Sequence, residues 1–531
     1  MATASASPTA LDQKLSRSPG KIGMLIFGVV LAIGIGYAGS SLLHDLSAVH
    51  SESFLPYLLL GIALLVALGF EFVNGFHDTA NAVATVIYTH SLEPHIAVVW
   101  SGFWNFLGVL ASSGLVAFAI VSLLPVELIL QVGSKAGFAM VFALLVAAII
   151  WNLGTWYFGL PASSSHTLIG SVIGVGIANQ LMNSRTAVSG VDWGQAKNIG
   201  YSLLLSPVFG FGMAALLLLL AKALIKDPKL YQAPEGAEPP PFYIRCLLIL
   251  TCTGVSFFHG SNDGQKGMGL IMLILIGTVP TAYALNHAVT WKDSRDFIAV
   301  SIQAADTLDK YVTPNAAVGD AHDDVTDYIR TKDFTPNTML ALRTMVSDIG
   351  NETALYKEMK NIPNDRVRNF RNDMYLVSES IRLMEKSGNP KFSAADNAVL
   401  VNYKKHIDHS TRFIPLWVKV AVAMALGLGT MVGWKRIVVT VGEKIGKSHL
   451  TYAQGAVAEI TAMATIGAAD GLGLPVSTTH VLSSGIAGTM AANKSGIQWS
   501  TVRNLALAWV LTLPVAMLLS GSLFWVFRKT F

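Results

Sequence analysis

The chain has 531 residues, of which 52% are hydrophobic and only 13% are charged. This length would accommodate several soluble domains, but the composition argues against them and indicates a polytopic membrane protein. The net charge of +4 is small and gives no indication of nucleic acid binding. The two cysteines, Cys246 and Cys252, lie in one apolar run and do not form a disulfide framework.

Apolar runs long enough to cross a bilayer, which takes about 20 residues, recur throughout the chain. Glycine and proline interrupt several of them, so they are counted as hydrophobic segments rather than as a topology. The fold that they predict is an all-α polytopic membrane protein with about 10–12 transmembrane helices, some of them broken or re-entrant. The predicted segments are 22–43, 54–73, 96–124, 137–158, 163–181, 199–225, 243–258, 264–286, 413–434, 450–469, 480–492 and 503–527.

The N-terminal residues 1–21 are rich in Ala, Ser and Pro, which predicts a disordered tail. The following run, 22–43, reaches full spanning length and lacks a clear small-residue cleavage site, so we predict a retained extra transmembrane helix. Lys14, Arg17 and Lys21 precede this run. The positive-inside rule therefore places the N-terminus in the cytoplasm.

A Pro-rich linker, 226–242, separates a first unit at 54–225 from a second unit, which begins at 243–291 and resumes at 413–531. The intervening residues 292–412 hold half of the chain's charged side chains. Apolar residues recur there at helical spacing, which predicts a soluble helical insert of nearly balanced charge. We expect this insert to have a packing role, or no essential role, rather than a ligand site.

A motif with three adjacent hydroxyls occurs twice in apolar sequence, as LPASSSH at 160–166 and LPVSTTH at 474–480. Unpaired polar groups at membrane depth cost several kcal/mol each, so clustered hydroxyls need partners there. A proline at a helix start, followed by hydroxyls and free N–H groups, is suited to binding an anion. We interpret the two motifs as a site for an oxyanion. The candidate ligands are Ser163, Ser164, Ser165, Ser477, Thr478 and Thr479.

A second motif is also duplicated, as NGFHDTAN at 74–81 and HGSNDGQK at 259–266, and its alignment pairs Asp78 with Asp263. An ionisable side chain beside an apolar span is costly and marks a functional candidate. In the second unit the acid and hydroxyl motifs lie farther apart by roughly the length of the charged span, which therefore looks like an insertion into one copy of a duplicated unit. Duplicated units with Gly- and Pro-broken segments are typical of a secondary transporter.

The residues around the two aspartates suggest a cation. Asn81, Asn262 and Gln265 either supply carbonyl oxygens to a hard monovalent cation or tie broken backbone together. His166 and His480, which follow the hydroxyls, either titrate near neutral pH or orient those hydroxyls. The residues leave open whether the two units are inverted or parallel.

At these four motifs the chain resembles the inorganic phosphate transporter (PiT) family, and the likeness covers roughly residues 54–531. It is most similar to the low-affinity bacterial members with a long central hydrophilic loop. The resemblance implies an all-helical bundle of two inverted repeats, often a homodimer, with phosphate at the hydroxyl motifs and coupling cations near the aspartates. It also implies a lipid-embedded protein of the bacterial inner membrane. Such a protein imports inorganic phosphate with protons, as a neutral complex with a divalent metal, and holds no permanent cofactor.

The coupling ion is inferred from a departure from the symmetrical family pattern. Sodium-coupled relatives resemble Asn-Asp-x-x-Asn in both copies, whereas here His77 precedes Asp78 and Lys266 follows Asp263. An ammonium group has only donors and does not ligate sodium, although it neutralises a nearby carboxylate. We therefore predict proton coupling, with Lys266 as a fixed counter-charge and His77–Asp78 as the proton site. The alternative is that Lys266 snorkels to the surface and His77 is a structural donor.

Three other functions stay open on this sequence. The same fold would serve a sodium-coupled phosphate symporter, or a permease for sulfate or another tetrahedral oxyanion. An intramembrane hydrolase would use Ser165 as nucleophile and His166 as base, although a duplicated nucleophile is unusual. A cation channel would conduct without a saturable dependence on phosphate.

Overall fold

The chain is helical throughout the part that its computed structural model describes. In those ranges there is no β-strand, only an isolated bridge between Gly446 and Ile497. The prediction of an all-α protein is therefore confirmed. Most of the predicted tail, residues 1–19, lies outside the described residues. The described residues are 20–47, 54–78, 80–124, 126–130, 133–182, 191–234, 238–314, 316–317 and 319–530, without the side chains of 80, 81, 126 and 127.

The α-helices of these ranges are numbered in chain order. Those before the Pro-rich linker are α1 (Lys21–Leu46), α2 (Leu55–Asp78), α3 (Ala80–Tyr88), α4 (Pro94–Ala111), α5 (Leu115–Val121), α6 (Val126–Leu130), α7 (Lys135–Tyr157), α8 (Ser164–Met182) and α9 (Trp193–Leu224). Those after it are α10 (Phe242–Thr278), α11 (Pro280–Tyr283), α12 (Trp291–Asp309), α13 (Ala321–Thr331), α14 (Thr338–Tyr356), α15 (Asn364–Ser387), α16 (Ala394–Thr411), α17 (Leu416–Thr430), α18 (Lys435–Glu443), α19 (Tyr452–Gly471), α20 (Thr478–Asn493) and α21 (Trp499–Thr530).

Among the described residues, seven helical spans are long and apolar enough to cross a membrane: α1, α2 continued by α3, α4, α7, α9, α10 and α21. The pair α16–α17 adds an eighth if it is one span, bent by 75°. The bend lies just before α17, where Pro415 lacks the N–H needed to continue a helix. The predicted segments 163–181, 450–469 and 480–492 correspond to α8, α19 and α20, which have 19, 20 and 16 residues.

The predicted segments 243–258 and 264–286 are not separate, because most of their residues belong to the continuous 37-residue helix α10. The glycines of the motif between them predict a break, because a glycine destabilises a helix by about 1 kcal/mol relative to alanine. The glycines instead allow close approach to α4. A Cβ added at Gly260 would stand 2.1 Å from the carbonyl oxygen of Asn105, and one at Gly264 would stand 2.6 Å from Val109.

The last helix of each half, α9 or α21, packs against a helix of the other half. α8 packs along α21, whereas α20 packs along α9. α9 and α21 each have 32 residues with one proline in the interior. Glycines set the closest contacts: a Cβ at Gly174 would lie 2.1 Å from the carbonyl oxygen of Met517, and one at Gly488 would lie 2.2 Å from that of Phe211. Each helix that starts with a hydroxyl motif is therefore held by the other half of the chain.

The helices α12–α16 surround a hydrophobic core of their own, which includes Phe297, Leu342 and Met374. Thr290 starts this group with a capping box to Asp293 at the beginning of α12. The division into repeats and insert stays a prediction, although this helical group occupies the charged span.

An ion pair attaches this helical group to the membrane helices. Asp192 caps α9 by accepting hydrogen bonds from the backbone N–H groups of Gly194 and Gln195. The other carboxylate oxygen of Asp192 lies 2.7 Å from a guanidinium nitrogen of Arg382 in α15. Glu379 pairs with the same guanidinium at 2.5 Å. The contact gives the insert a physical link to the first turn of α9.

Gly174→Ala is expected to lower the thermal unfolding temperature. The added methyl would displace the backbone of Met517, and overpacking of this kind costs about 1–3 kcal/mol. Gly212→Ala in α9 is the matched control, because a Cβ at Gly212 meets nothing within 4 Å. Thermal unfolding of the purified variants, followed by tryptophan fluorescence, measures the difference. Equal unfolding temperatures for Gly174→Ala and the parent chain would contradict the tight contact between α8 and α21.

Candidate functional site

Candidate residues from both halves of the chain meet at the buried carboxylate of Asp78. Ser164, at the first turn of α8, donates to Asp78 Oδ2 at 2.8 Å and lies 3.3 Å from Asp263 Oδ2. Thr479 of α20 donates to Asp78 Oδ1 at 2.6 Å. None of these four residues is more than 2% exposed. The structure thus brings both acid motifs and both hydroxyl motifs to one place.

The other predicted hydroxyls have different contacts. Ser163 and Ser477 accept hydrogen bonds from backbone N–H groups three residues further on, at 3.2 and 3.1 Å. These bonds cap the starts of α8 and α20. Ser165 donates to the carbonyl oxygen of Val476 at 2.7 Å, and Thr478 is buried in the first turn of α20. The capping hydroxyls therefore fix the helix starts from which the two aspartate-bonded hydroxyls project.

The prolines of the two hydroxyl motifs are held symmetrically by α21 and α9. The indole N–H of Trp509 in α21 donates to the carbonyl oxygen of Pro161 at 3.0 Å. The hydroxyl of Ser202 in α9 donates to that of Pro475 at 3.1 Å. Each motif is anchored by the half of the chain to which it does not belong.

His77 links Asp78 to α7. Its Nε2 lies 3.1 Å from Thr155 Oγ1, and its Nδ1 lies 3.2 Å from Asp78 Oδ1. The Thr155 hydroxyl also lies within donating distance of the carbonyl oxygen of Trp151, at 3.0 Å, so it accepts from His77 Nε2–H. In this arrangement Nδ1 and a carboxylate oxygen, both acceptors, face each other. They stop repelling when a proton lies between them.

Asp263 is paired with the ammonium group of Lys266. Lys266 Nζ lies 2.7 Å from Asp263 Oδ2, and both residues are fully buried. The side chain of Lys266 therefore does not snorkel to the surface. Asn81, at the aligned position in the first half, lies in α3, but its side chain is not among those described.

The two predicted amide ligands of the second half bind protein groups. Gln265 Nε2 donates to Asp470 at 2.7 Å, and its Oε1 accepts from the backbone N–H of Val116 at 2.9 Å. Asn262 Nδ2 donates to the carbonyl oxygen of Leu474 at 3.2 Å. These bonds favour the structural alternative for Gln265, whose carbonyl oxygen is used by the backbone.

Sequence reasoning missed His259 and Asn105. His259 Nε2 lies 3.6 Å from Asp263 Oδ2, and His259 Nδ1 lies 2.8 Å from Asn105 Oδ1. The spacing of four residues, which puts His259 and Asp263 on one helix face, was an available signal. No local pattern identifies Asn105, because it reaches the site through the contact of α4 with α10.

The geometry does not support a hydrolase. The hydroxyl of Ser165 is directed to the Val476 carbonyl rather than to His166. In the part of the chain that the structure describes, His166 Nδ1 has no hydrogen-bond partner. The rings of His166 and His480 lie side by side, with centroids 4.6 Å apart. Ser165 and His166 therefore do not form a nucleophile–base pair.

The site combines hydrogen-bond donors with buried negative charge. The donors are the hydroxyls of Ser164 and Thr479 at two helix starts. The negative groups are Asp78 and Asp263, a few ångströms away. Such a site is chemically suited to an anion only together with a cation or protons that offset the carboxylates, because like charges repel strongly where water is excluded.

Comparison with known proteins identifies the family. Residues 74–520 match the model described as the phosphate transporter family. The low-affinity inorganic phosphate transporter PitA of Escherichia coli K12 is 43% identical over 486 residues, covering 88% of this chain and 96% of that protein. The low-affinity inorganic phosphate transporter of Buchnera aphidicola from Acyrthosiphon pisum is 42% identical over 482 residues, with the same two coverages. A solved structure named "The sodium-dependent phosphate transporter" aligns with a TM-score of 0.49 and 19% identity, covering 89% of this chain and 100% of that one.

These relatives are transporters rather than enzymes. With its long apolar helices, the chain is a multi-pass protein of the bacterial inner membrane. The matched residues include both acid motifs and both hydroxyl motifs. The chain therefore belongs to the phosphate transporter family.

Proposed function

We propose that this chain is a secondary active transporter that imports inorganic phosphate in symport with protons, as a neutral complex with a divalent metal. The observation that carries the proposal is the hydroxyl of Ser164, which lies within hydrogen-bond reach of the carboxylates of Asp78 and Asp263. The names of the relatives, both low-affinity inorganic phosphate transporters, support phosphate as the substrate.

Phosphate binding and cation binding are coupled by charge at this site. Phosphate oxygens would accept hydrogen bonds from Ser164 and Thr479, which otherwise donate to Asp78. An anion placed beside two carboxylates is repelled by them, and the repulsion is stronger in a buried site than in water. Lys266 already offsets the charge of Asp263, so protons or a metal ion that neutralise Asp78 favour phosphate entry. Their release on the other side of the membrane favours phosphate release.

The contacts of His77 support a proton as the coupling ion. Thr155 accepts from its Nε2–H, so that a further proton is shared between Nδ1 and Asp78 Oδ1. Binding of that proton cancels one negative charge at the point where phosphate would bind. The imidazole is suited to this exchange because its Nδ1 accepts a proton from one side and donates it to the carboxylate on the other.

The contact of Lys266 with Asp263 argues against a sodium ion in the second half. The ammonium group occupies one carboxylate oxygen at 2.7 Å and offers no acceptor to a metal. A tethered charge of this kind neutralises Asp263 permanently, whereas sodium would come and go with each transport cycle.

The two halves would move relative to each other around this site, as in other duplicated transporters. The outer faces of α9 and α21 expose large apolar side chains, among them Leu204, Val208 and Leu518, and we expect membrane lipid to cover them. Assembly into a homodimer stays a prediction that follows from the family resemblance.

The first test is transport by the purified chain in proteoliposomes. Saturable uptake of labelled phosphate is expected under an inward proton gradient without sodium. An uncoupler should abolish it, because the uncoupler removes the driving force. Sulfate in excess should compete weakly if phosphate is the substrate. Uptake that survives the uncoupler but requires sodium would overturn proton coupling, and uptake equal to that of empty vesicles would overturn transport itself.

Ser164→Ala and Thr479→Val are each expected to weaken phosphate binding about ten- to a hundredfold, since a hydrogen bond to a charged group contributes about 1.5–3 kcal/mol. The matched control is Ser171→Ala, two turns further along α8, whose hydroxyl bonds back to the carbonyl oxygen of Thr167 at 2.8 Å. The concentration of phosphate at half-maximal uptake measures the effect. If all three variants matched the parent chain, these hydroxyls would not bind phosphate.

Lys266→Gln is expected to abolish proton-driven uptake and to destabilise the protein, because breaking a buried ion pair costs about 3–5 kcal/mol. The double variant Asp263→Asn/Lys266→Gln should regain stability without regaining uptake. Lys419→Gln is the control, since Lys419 Nζ bonds to the backbone carbonyl of Ser112 at 2.8 Å. Thermal unfolding and phosphate uptake are measured on the same preparations. Normal uptake by Lys266→Gln would refute the role of a fixed counter-charge.

A further inference from the structure

Arg371 of α15 is a buried cation without a carboxylate partner in the part of the chain that the structure describes. The residue is only 8% exposed. Its Nε has no hydrogen-bond partner there, and Nη1 reaches only the side-chain oxygen of Asn372, at 3.5 Å. A buried charge normally needs a counter-charge. We propose that Arg371 and Arg412 bind a phosphate group, supplied by inorganic phosphate or by an anionic phospholipid, where the insert meets the membrane helices.

The second arginine, Arg412, adds to the positive charge around Arg371. Burial and the repulsion from Arg412 lower the pKa of Arg371 to about 10, so the guanidinium is still charged at neutral pH. Arg412 itself pairs with Asp408 at 3.1 Å. The same carboxylate pairs with Lys404 at 2.7 Å and accepts a hydrogen bond from Ser378 at 3.0 Å. The acid on the neighbouring helix is therefore fully engaged and does not serve Arg371.

Another arginine of α15 shows how this chain neutralises a guanidinium when it supplies the partner itself. Arg382 pairs with both Asp192 and Glu379, and 22% of its side chain is exposed. Arg371 is buried more deeply, yet its neighbours are the ring of Tyr375, 5.3 Å from the guanidinium carbon, and a second cation. The tyrosine is neutral at physiological pH and offers no counter-charge. The partner that Arg371 lacks is therefore an anion from outside the chain.

The two arginines lie where the insert contacts the membrane helices. Tyr375, beside Arg371, packs against the hydrophobic core of the insert and against that of the membrane helices. The guanidinium carbon of Arg412 lies 5.8 Å from the ring centroid of Phe118 in α5. Arg412 also directly follows α16, at the 75° bend towards α17. An anion held by both arginines would therefore join α15 of the insert to the start of α17.

The chemistry of the guanidinium favours a phosphate group as the ligand. Its planar set of N–H donors matches two oxygens of one phosphate, and the free Nε of Arg371 is part of such a set. Inorganic phosphate offers this group in solution, and an anionic phospholipid offers it at the membrane boundary. The site lies in the insert rather than at Asp78, so it gives the insert a ligand in addition to the packing role expected from the sequence.

The test is thermal unfolding of the purified full chain in phosphatidylcholine nanodiscs at constant ionic strength. One arm adds inorganic phosphate, and the other replaces part of the lipid by phosphatidylglycerol in phosphate-free buffer. A ligand of the folded state raises the unfolding temperature, and Arg371→Met should need at least tenfold more of it for the same rise. Phosphate at the transport site acts on both chains, so the difference between them is the measure. Arg366→Gln is the matched control, because Arg366 lies on the same helix, is exposed and pairs with Glu352 at 2.7 Å.

A difference confined to the first arm assigns the site to inorganic phosphate, and one confined to the second assigns it to the lipid headgroup. Equal responses of Arg371→Met and the parent chain in both arms would overturn the site. Without either ligand, Arg371→Met should unfold at the same temperature as the parent chain or higher, because it removes an unpaired buried charge. Arg382→Met, which breaks existing ion pairs, should unfold at a lower temperature. An equal loss in Arg371→Met would reveal a partner within the chain and refute the proposal. None of these measurements requires uptake, so the result is independent of the proposed function.

Discussion

The burial of two carboxylates, Asp78 and Asp263, at the junction of the halves is the constraint on which the rest of the structure depends. A buried carboxylate without partners is destabilised by several kcal/mol, so each needs compensation nearby. Lys266 compensates Asp263, and hydroxyls from α8 and α20 compensate Asp78. These partners come from helices far apart in sequence. The requirement to satisfy the carboxylates therefore also fixes how those helices meet.

Close helix packing makes these contacts possible. α4 and α10 approach each other at glycines on both helices. A Cβ at Gly108 would stand 2.0 Å from the carbonyl oxygen of Phe257, and one at Gly260 would stand 2.1 Å from that of Asn105. The same approach places Asn105 beside His259. Small residues at helix interfaces are the usual means of close packing in membranes, where lipid removes the hydrophobic drive for helices to associate. Here they also bring polar groups within hydrogen-bond distance.

Another buried acid shows how such a group is treated away from the site. Glu459 of α19 is fully buried and accepts hydrogen bonds from the hydroxyls of Thr85 in α3 and Thr251 in α10. Both carboxylate oxygens are thus satisfied by neutral donors on neighbouring helices. The cluster at Asp78 differs, because it contains a histidine, a lysine and a second carboxylate. That concentration of charge sets the candidate functional site apart from a structural polar contact such as that of Glu459.

The sequence by itself determined the all-helical membrane class, the two duplicated motifs and most residues of the site. These features follow from hydropathy and from short sequence motifs, which can be recognised without knowing how the helices pack. Only the tertiary structure decided which hydroxyl of each triplet faces Asp78, that α10 runs unbroken through its acid motif, and that Asn105 orients His259. The sequence alone does not show whether a glycine ends a helix or allows another helix to pack closely against it. Which one applies depends on the helix that packs against it, and that helix is distant along the chain.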